Sequence, residues 1–472
     1  MRKKNLRIIV LFLTIAVFVF ILSAKPSNSN FIQGVDISSL PKVENNGGVF
    51  KEQGAEKDAL DIFQNHNINY ARIRIWHTPA AGYYNLEQTL QLAGRIKALG
   101  MGLLIDFHYS DTWADPGHQT KPAAWENLSF AALQDSIYQY SYRVIKALSD
   151  QNTPPDMVQI GNEIICGLLW DEGRVCGDFN TTQQWSQLAA LINEGIRGTE
   201  DGLRQDDSVQ IMIHIDRGGD NGGCRWFFDN LISQNVTFDI IGLSFYPWWH
   251  GTLTDLQANI NDLGQRYNKD IIVVETSYPW TLDWNDDVGN VVGDSSQLHP
   301  GYPATVEGQT AFLSDLINVV RDVPNNRGLG IFYWEPAWIS TPQEGSRREN
   351  LALFDFSGEL LASISAFDSN YTSITHKAED KPDFLLYQNH PNPFNPKTVI
   401  CYRLSANSHI ELNIYDIQGK RIVTLFSGIQ TAGIHRVEWD VSGKKDLASG
   451  VYIYRLRTNK GLVQSRKLIL LR

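Results

Sequence analysis

The sequence predicts an α/β chain, a closed (β/α)8 TIM barrel followed by a small all-β immunoglobulin-like sandwich, and three observations carry that expectation. Between Phe31 and Ala366, eight short β-branched runs alternate with segments long enough to hold a helix. Each run closes on polar or aromatic residues. Beyond residue 384 the pattern changes to alternating apolar and polar runs separated by turns, the signature of an antiparallel sandwich.

The chain opens with Arg2, Lys3, Lys4 and Arg7, an unbroken apolar stretch from Ile8 to Leu22, and then Ser23 and Ala24. Charge, apolar run and small-residue exit mark residues 1–24 as a signal peptide, an uncleaved N-terminal anchor being the alternative. The protein is therefore expected outside the cytoplasm, secreted or at the cell surface after export through the periplasm. Cys166 and Cys176 lie close together, where an oxidising compartment allows a disulfide, but spacing alone leaves the pairing of Cys166, Cys176 and Cys224 open. Cys401 has no evident partner.

The eight runs are Phe31–Ile37, Tyr70–Trp76, Met101–His108, Met157–Glu163, Gln210–Asp216, Ile240–Tyr246, Ile271–Thr276 and Leu329–Glu335. Amphipathic stretches such as Leu86–Leu99 and Leu133–Leu148 lie between them, with Gly100 placed as a helix stop. Eightfold strand–helix alternation implies parallel strands closed into a barrel, with catalytic domain boundaries at 30–366. No Gly-rich phosphate loop follows the first strand, so nucleotide binding has no support. Residues 367–383 read as a polar linker, and 384–472 as the sandwich, with strands at 399–404, 409–415, 420–425, 434–441, 451–458 and 462–470.

Charge narrows the partners. With 52 acidic residues against 41 basic ones and a formal net charge of −11, neither a nucleic-acid groove nor an anionic membrane surface is expected. A neutral ligand fits better, and the 13 Trp residues supply flat faces for sugar rings as well as core packing.

Polar residues gather at the strand ends where barrels of this kind perform chemistry: Asp36, Arg74 with Trp76, Asp106 with His108, Asn162 with Glu163, His214 with Asp216, Tyr246, Glu275, and Trp334 with Glu335. GNEI (161–164) and VVETSYPW (273–280) put Glu163 and Glu275 on the fourth and seventh strands, across the mouth from one another. Two facing carboxyl groups can cleave a glycosidic bond, one delivering a proton and the other stabilising the oxocarbenium-like centre; a gap of about 5 Å gives retention and one nearer 8 Å inversion. The short gap is expected, with Glu163 as general acid/base and Glu275 as nucleophile, ionised beside Arg74.

GVDISSLP (34–41), RIRIW (72–76), LLIDFHYSDTWADPGHQTKPAAW (103–125), QIGNEI (159–164), LSFYPWW (243–249), VVETSYPW (273–280) and IFYWEPAWI (331–339) together resemble glycoside hydrolase family 53, the endo-β-1,4-galactanases, over residues 30–366. The resemblance implies hydrolysis of β-1,4-galactan side chains of pectic arabinogalactan by double displacement. It also implies that Asn162 holds the 2-hydroxyl of the sugar at the scissile bond and that Trp334 floors that sugar. Arg74, His108, His214 and Tyr246 would orient the carboxylates, while Asp111, Trp113, Trp125, Trp248 and Trp249 would line the cleft. Some bacterial relatives hold calcium after strand seven, where DWNDDVGN (283–290) offers Asp286 and Asn290, but Trp284 and Val288 stand at positions expected for ligands. A solvated acidic loop is the reading, with no cofactor required for catalysis.

YQNHPNPFNPKT (387–398), LNIYDIQGK (412–420), LASGVYIYRL (447–456) and KLILLR (467–472) resemble the sorting domain of type IX secretion substrates. That resemblance implies the secretion machinery as a partner; a carbohydrate-binding module is the alternative, against which stands a tail whose one Trp is Trp439. A monomer is expected. Two further functional readings stay open at this point: a retaining endo-β-glycanase of the same clan acting on mannan, xylan or β-glucan, and a non-catalytic surface glycan-binding protein.

Overall fold

The computed structural model describes residues 31–368 and, between 384 and 471, all but 387–388, 390–391, 405–406, 432, 445–446 and 459–462. Residues 1–24, expected to be a signal peptide, and residues 369–383 of the expected linker lie outside the described residues. Phe367, assigned to the linker from composition, instead belongs to the barrel: it is fully buried and its carbonyl accepts from the Gln33 side chain at 2.8 Å.

Eight parallel strands close a barrel: β1 (Ile32–Asp36), β2 (Tyr70–Ile75), β3 (Gly102–Phe107), β4 (Met157–Ile160), β5 (Gln210–Ile215), β6 (Ile240–Ser244), β7 (Asp270–Thr276) and β8 (Gly328–Trp334), each hydrogen-bonded to its sequence neighbours and β8 to β1. Seven of the eight strands end a residue or more earlier than the apolar runs suggest, because the last residues turn out of the ladder into the rim; β7 ends at Thr276, as expected. Glu163 is the clearest case, three residues beyond Ile160 and held at φ 48°. That left-handed conformation is costly for a side-chain-bearing residue and is sustained by the surrounding structure.

Period-two alternation puts one set of side chains inside the barrel. The lower interior is apolar, filled by Ile32, Leu104, Met157, Met212, Ile240, Ile272, Val274 and Phe332. Gly34 makes room for Phe332: a Cβ there would lie 2.3 Å from its ring. One step further along the same strands the interior turns polar. Ladder pairings place Asp36 beside Arg72, Arg74 beside Asp106, and Asp106 beside Gln159, so the charged layer is built from consecutive strands.

Helices cover the outside, and their ends follow local chemistry. The helix Phe130–Asp150 starts where Ser129 accepts from the Ala132 N–H, and Thr252 and Asp255 form a reciprocal capping box at the start of Leu253–Tyr267.

The C-terminal part pairs two antiparallel sheets. β9 (Phe384–Leu386), β10 (Lys397–Leu404) and β13 (Gly433–Asp440) form one; β12 (Arg421–Gln430), β11 (Ser408–Tyr415), β14 (Gly450–Thr458) and β15 (Val463–Leu470) form the other. The short β9 was not apparent from alternation. Ile400, Tyr402, Ile410, Leu412, Tyr454 and Trp439 fill the core, and Trp439 is only 2% exposed, so it offers no stacking face to a sugar.

Candidate active site

A cleft of about 830 Å³ opens at the C-terminal rim, its wall including Glu163, Glu275, Asn162, Tyr246, Trp113 and Trp334. At its base sits Arg72, 1% exposed. Its Nη1 donates to Asp36 Oδ2 and Glu275 Oε1, and its Nη2 to Asp106 Oδ2 and Asn162 Oδ1, all at 2.8 Å. A buried cation among three carboxylates is tolerable only because the planar fork reaches all of them at once.

Arg74 lies elsewhere than expected. Two residues along β2 from Arg72, its Nη1 donates to Glu335 at 2.6 Å and its Nη2 to Ser39 Oγ at 2.7 Å, while the guanidinium stacks on Tyr84 and Trp113 at 4.4 and 4.2 Å. Arg72, which the sequence reading passed over, is the arginine that meets Glu275. The signal was present in the RIRI alternation, which turns both arginines inward and requires two sets of acidic partners.

Glu275 is nearly buried, bound by Arg72 on Oε1 and by the Tyr246 hydroxyl on Oε2 at 3.0 Å. Burial raises its carboxyl above the usual range, and the Arg72 charge opposes that rise without cancelling it. Among the described residues no such cation is bonded to Glu163. Burial, then the charge of Glu275, then that of Asp216, push it well above the ordinary carboxylate range, with only the Ser244 hydroxyl bond and distant Arg72 opposing. The asymmetry raises Glu163 further than Glu275 and so favours the proton on Glu163.

Behind these two runs a hydrogen-bonded layer, in which Gln159 Oε1 is left without a partner among the described residues. Ser244 Oγ donates to Glu163 Oε1 at 2.6 Å, and His214 Nε2 lies 2.9 Å from the same hydroxyl. A hydroxyl that donates to Glu163 accepts from His214, which assigns the ring proton to Nε2. His214 is neutral, since burial and then Arg72 lower it well below its ordinary value. Gln159 donates to Asp106 at 2.6 Å, and Asn162 donates to the Ala114 carbonyl at 2.8 Å. His108 lies 3.0 Å from Asp106 through Nε2, and its Nδ1 accepts from Trp76 and the Ala114 N–H.

The structure brings Glu163, Glu275, Asn162, His108, Tyr246, Trp113 and Trp334 together on the cleft wall. Four other residues expected at the site lie off the cleft wall. His214 is fully buried beneath Asn162 and Ser244 and supports the wall without lining it. Asp111 accepts from the backbone N–H groups of Thr78 and Ala123, fastening two loops. Trp125 is 5% exposed against His77 and Tyr140, a packing residue. Trp248 packs on Tyr246, whereas its neighbour Trp249, 59% exposed, lines the cleft. Gln159, Ser244, Trp338 and Arg348 were not foreseen; Trp338 lies parallel to Trp113 and Arg348 covers the Trp334 ring at 4.2 Å.

In the acidic loop Asn290 Oδ1 is buried without a hydrogen-bond partner among the described residues, while the Asp286 oxygens are committed within the chain. Asp286 spends its oxygens on the N–H groups of Val288 and Ser346, both at 2.6 Å, and Asn290 donates to the Asp283 carbonyl. Among the described residues no group of three or more His, Cys, Asp or Glu could hold a metal ion. Cys166 and Cys176 form a disulfide just after Glu163, and Cys224 is a free, buried thiol.

Comparison with known proteins agrees with this geometry. Residues 32–367 match the model of glycosyl hydrolase family 53, and residues 388–471 that of a secretion system C-terminal sorting domain. A Niallia circulans protein described as an uncharacterized protein in the bgaB 5′ region is 47% identical over 75% of this chain and 98% of its own length. An arabinogalactan endo-β-1,4-galactanase of Thermothelomyces thermophilus is 37% identical over 71% of this chain and 98% of its own length. The solved GH53 catalytic domain of Ignisphaera aggregans superposes with a TM-score of 0.67 at 39% identity, covering 72% of this chain and 97% of that one. A family match across the whole barrel makes this chain a glycoside hydrolase that belongs to glycosyl hydrolase family 53.

Proposed function

We propose that the protein is a secreted endo-β-1,4-galactanase that cleaves the β-1,4-galactan side chains of pectic arabinogalactan with retention of configuration. The observation that carries this reading is the unequal environment of the two cleft carboxyls, Glu163 poised to hold a proton and Glu275 bonded to Arg72. The names of relatives such as the Thermothelomyces thermophilus galactanase support the substrate.

In this mechanism Glu163 protonates the glycosidic oxygen while Glu275 attacks the anomeric carbon, breaking the C–O bond and forming a glycosyl ester. Glu163, now ionised, takes a proton from water, which attacks the same carbon and releases Glu275. Arg72 and Tyr246 hold the attacking carboxylate at fixed orientation and leave it charged. Asn162 would hold the 2-hydroxyl, and Trp334 would form the floor of the same sugar. The sorting-domain match supports export by a type IX system, with the tail as its address and the linker as the place of cleavage.

Product analysis on purified plant β-glycans tests the substrate. Release of galacto-oligosaccharides supports the proposal, cleavage of mannan, xylan or β-glucan instead replaces the substrate, and no cleavage reduces the barrel to a glycan binder. Glu275→Ala should abolish turnover and, with azide, return an azide adduct of inverted configuration; Glu163→Ala should spare substrates whose leaving group needs no protonation. Near-normal activity of either variant on polymer overturns the roles.

A further inference from the structure

Asp216 stands one residue beyond β5, facing inward in register with Met212 and His214, and lines the cleft beside Glu163. It is 7% exposed, and its Oδ1 is buried with no hydrogen-bond partner among the described residues. Oδ2 lies 3.5 Å from Arg217 Nη1, an ion-pair distance at the limit for a hydrogen bond. The charged groups that face it are Arg217, Asp220, Asp115 and Glu163. Burial lifts its carboxyl to about 6. A buried carboxyl oxygen without a donor is costly, and Asp216 belongs to the wall of the open cleft, so the orphan marks a place where a donor arrives from outside the chain.

Its position says which donor. The charge of Asp216 acts on Glu163, whereas the groups that act most on Glu275 are Arg72, Asp36 and Asp106. Asp216 therefore lies on the Glu163 side, where the proposed mechanism puts the departing sugar. We propose that Asp216 binds substrate, accepting a hydrogen bond from a hydroxyl of the sugar on the leaving-group side of the scissile bond. The proposal deepens the galactanase reading and rests on it.

The test compares two substrates that differ only in what departs: galactotetraose, which leaves as a sugar, and an aryl β-galactobioside, which leaves as a phenol with no hydroxyl at that position. Asp216→Ala should lower kcat/KM on galactotetraose by about tenfold to a hundredfold, the worth of one hydrogen bond to a charged group. The aryl substrate should stay within about twofold, which also reports a folded site. Asp216→Asn, which keeps an acceptor oxygen and the shape, should lose less, and it carries the same comparison if the Ala variant does not fold. Equal losses on both substrates, as a purely structural residue would give, overturn the proposal, and so does a loss on galactotetraose that vanishes at pH values low enough to protonate Glu163 in both proteins, as a residue that only tunes Glu163 would give. So does unchanged turnover of galactotetraose. If the wild-type enzyme cleaves neither substrate, the galactanase reading fails by itself, and the ratio is then read on the β-1,4-glycan that is cleaved and its aryl glycoside.

Discussion

Arg72 Nη1 donates at 2.8 Å to Oε1 of Glu275 and at the same distance to Oδ2 of Asp36, so one guanidinium nitrogen ties the end of β7 to the end of β1. Its second nitrogen spans β3 and β4 through Asp106 and Asn162. The cation stays charged in spite of burial because Asp106, Glu275 and Asp36 surround it.

Removing that cation should therefore damage both fold and site. Arg72→Ala leaves buried carboxylates uncompensated and is expected to cost about 3–5 kcal/mol in denaturant unfolding. Arg72→Lys restores charge but not the fork, and a carboxylate displaced by even about 1 Å should lower kcat roughly 100-fold. A Lys variant with wild-type kcat would mean that charge, and not geometry, is what Arg72 supplies.

The hydroxyl of Ser244 gives a prediction with a definite sign. Its bond to Glu163 favours the ionised carboxyl and so lowers its pKa against the stronger effect of burial. Ser244→Ala removes that pull, Glu163 keeps its proton to higher pH, and the alkaline limb of kcat/KM should move upward. The acidic limb, set by Glu275, should move less. A downward shift of the alkaline limb in a pH–rate profile would contradict the assignment of Glu163 as the acid.

The barrel and the Glu pair were legible because both depend on period and position. Eight runs ending in polar residues specify a rim, and GNEI and VVETSYPW put carboxylates on it. Contacts between side chains from different strands were not legible. Arg72 and Arg74 both face inward from β2, and their partners are chosen by how far each guanidinium reaches across the barrel, which strand alternation does not encode. Loop tryptophans fail for a similar reason: Trp125 closes onto Tyr140 in a single helical turn while Trp249 is left in the cleft, and nothing in either local sequence separates the two. Gln159 and Ser244 carry no charge to draw notice, yet both complete the bonding beneath the carboxyls.

The disulfide Cys166–Cys176 closes a loop whose ends are ten residues apart, directly after the strained Glu163. A loop of that size contributes about 2–3 kcal/mol in the chain-entropy account. Replacing both cysteines by Ser should lower stability by about that amount and reduce kcat more than it raises KM, because the loop sets the direction of Glu163. Unchanged kcat in the double variant, measured on folded protein, would show that the turn at Glu163 holds without the staple.

Glu335 should set a pH dependence of stability separate from that of activity. Burial raises its carboxyl from an ordinary 4.5 to about 7, with Arg74 opposing. The native state then binds this proton more tightly than the unfolded chain, so the contribution is complete below about 4.5 and is lost as pH rises to about 7. Glu335→Gln holds the side chain neutral throughout and removes that loss. The difference in unfolding free energy, wild type minus variant, should fall across this window when measured by urea titration at fixed temperature. A difference that stays level, or rises, would mean that Glu335 is ionised in the native state from the start and that the Arg74 pair outweighs burial.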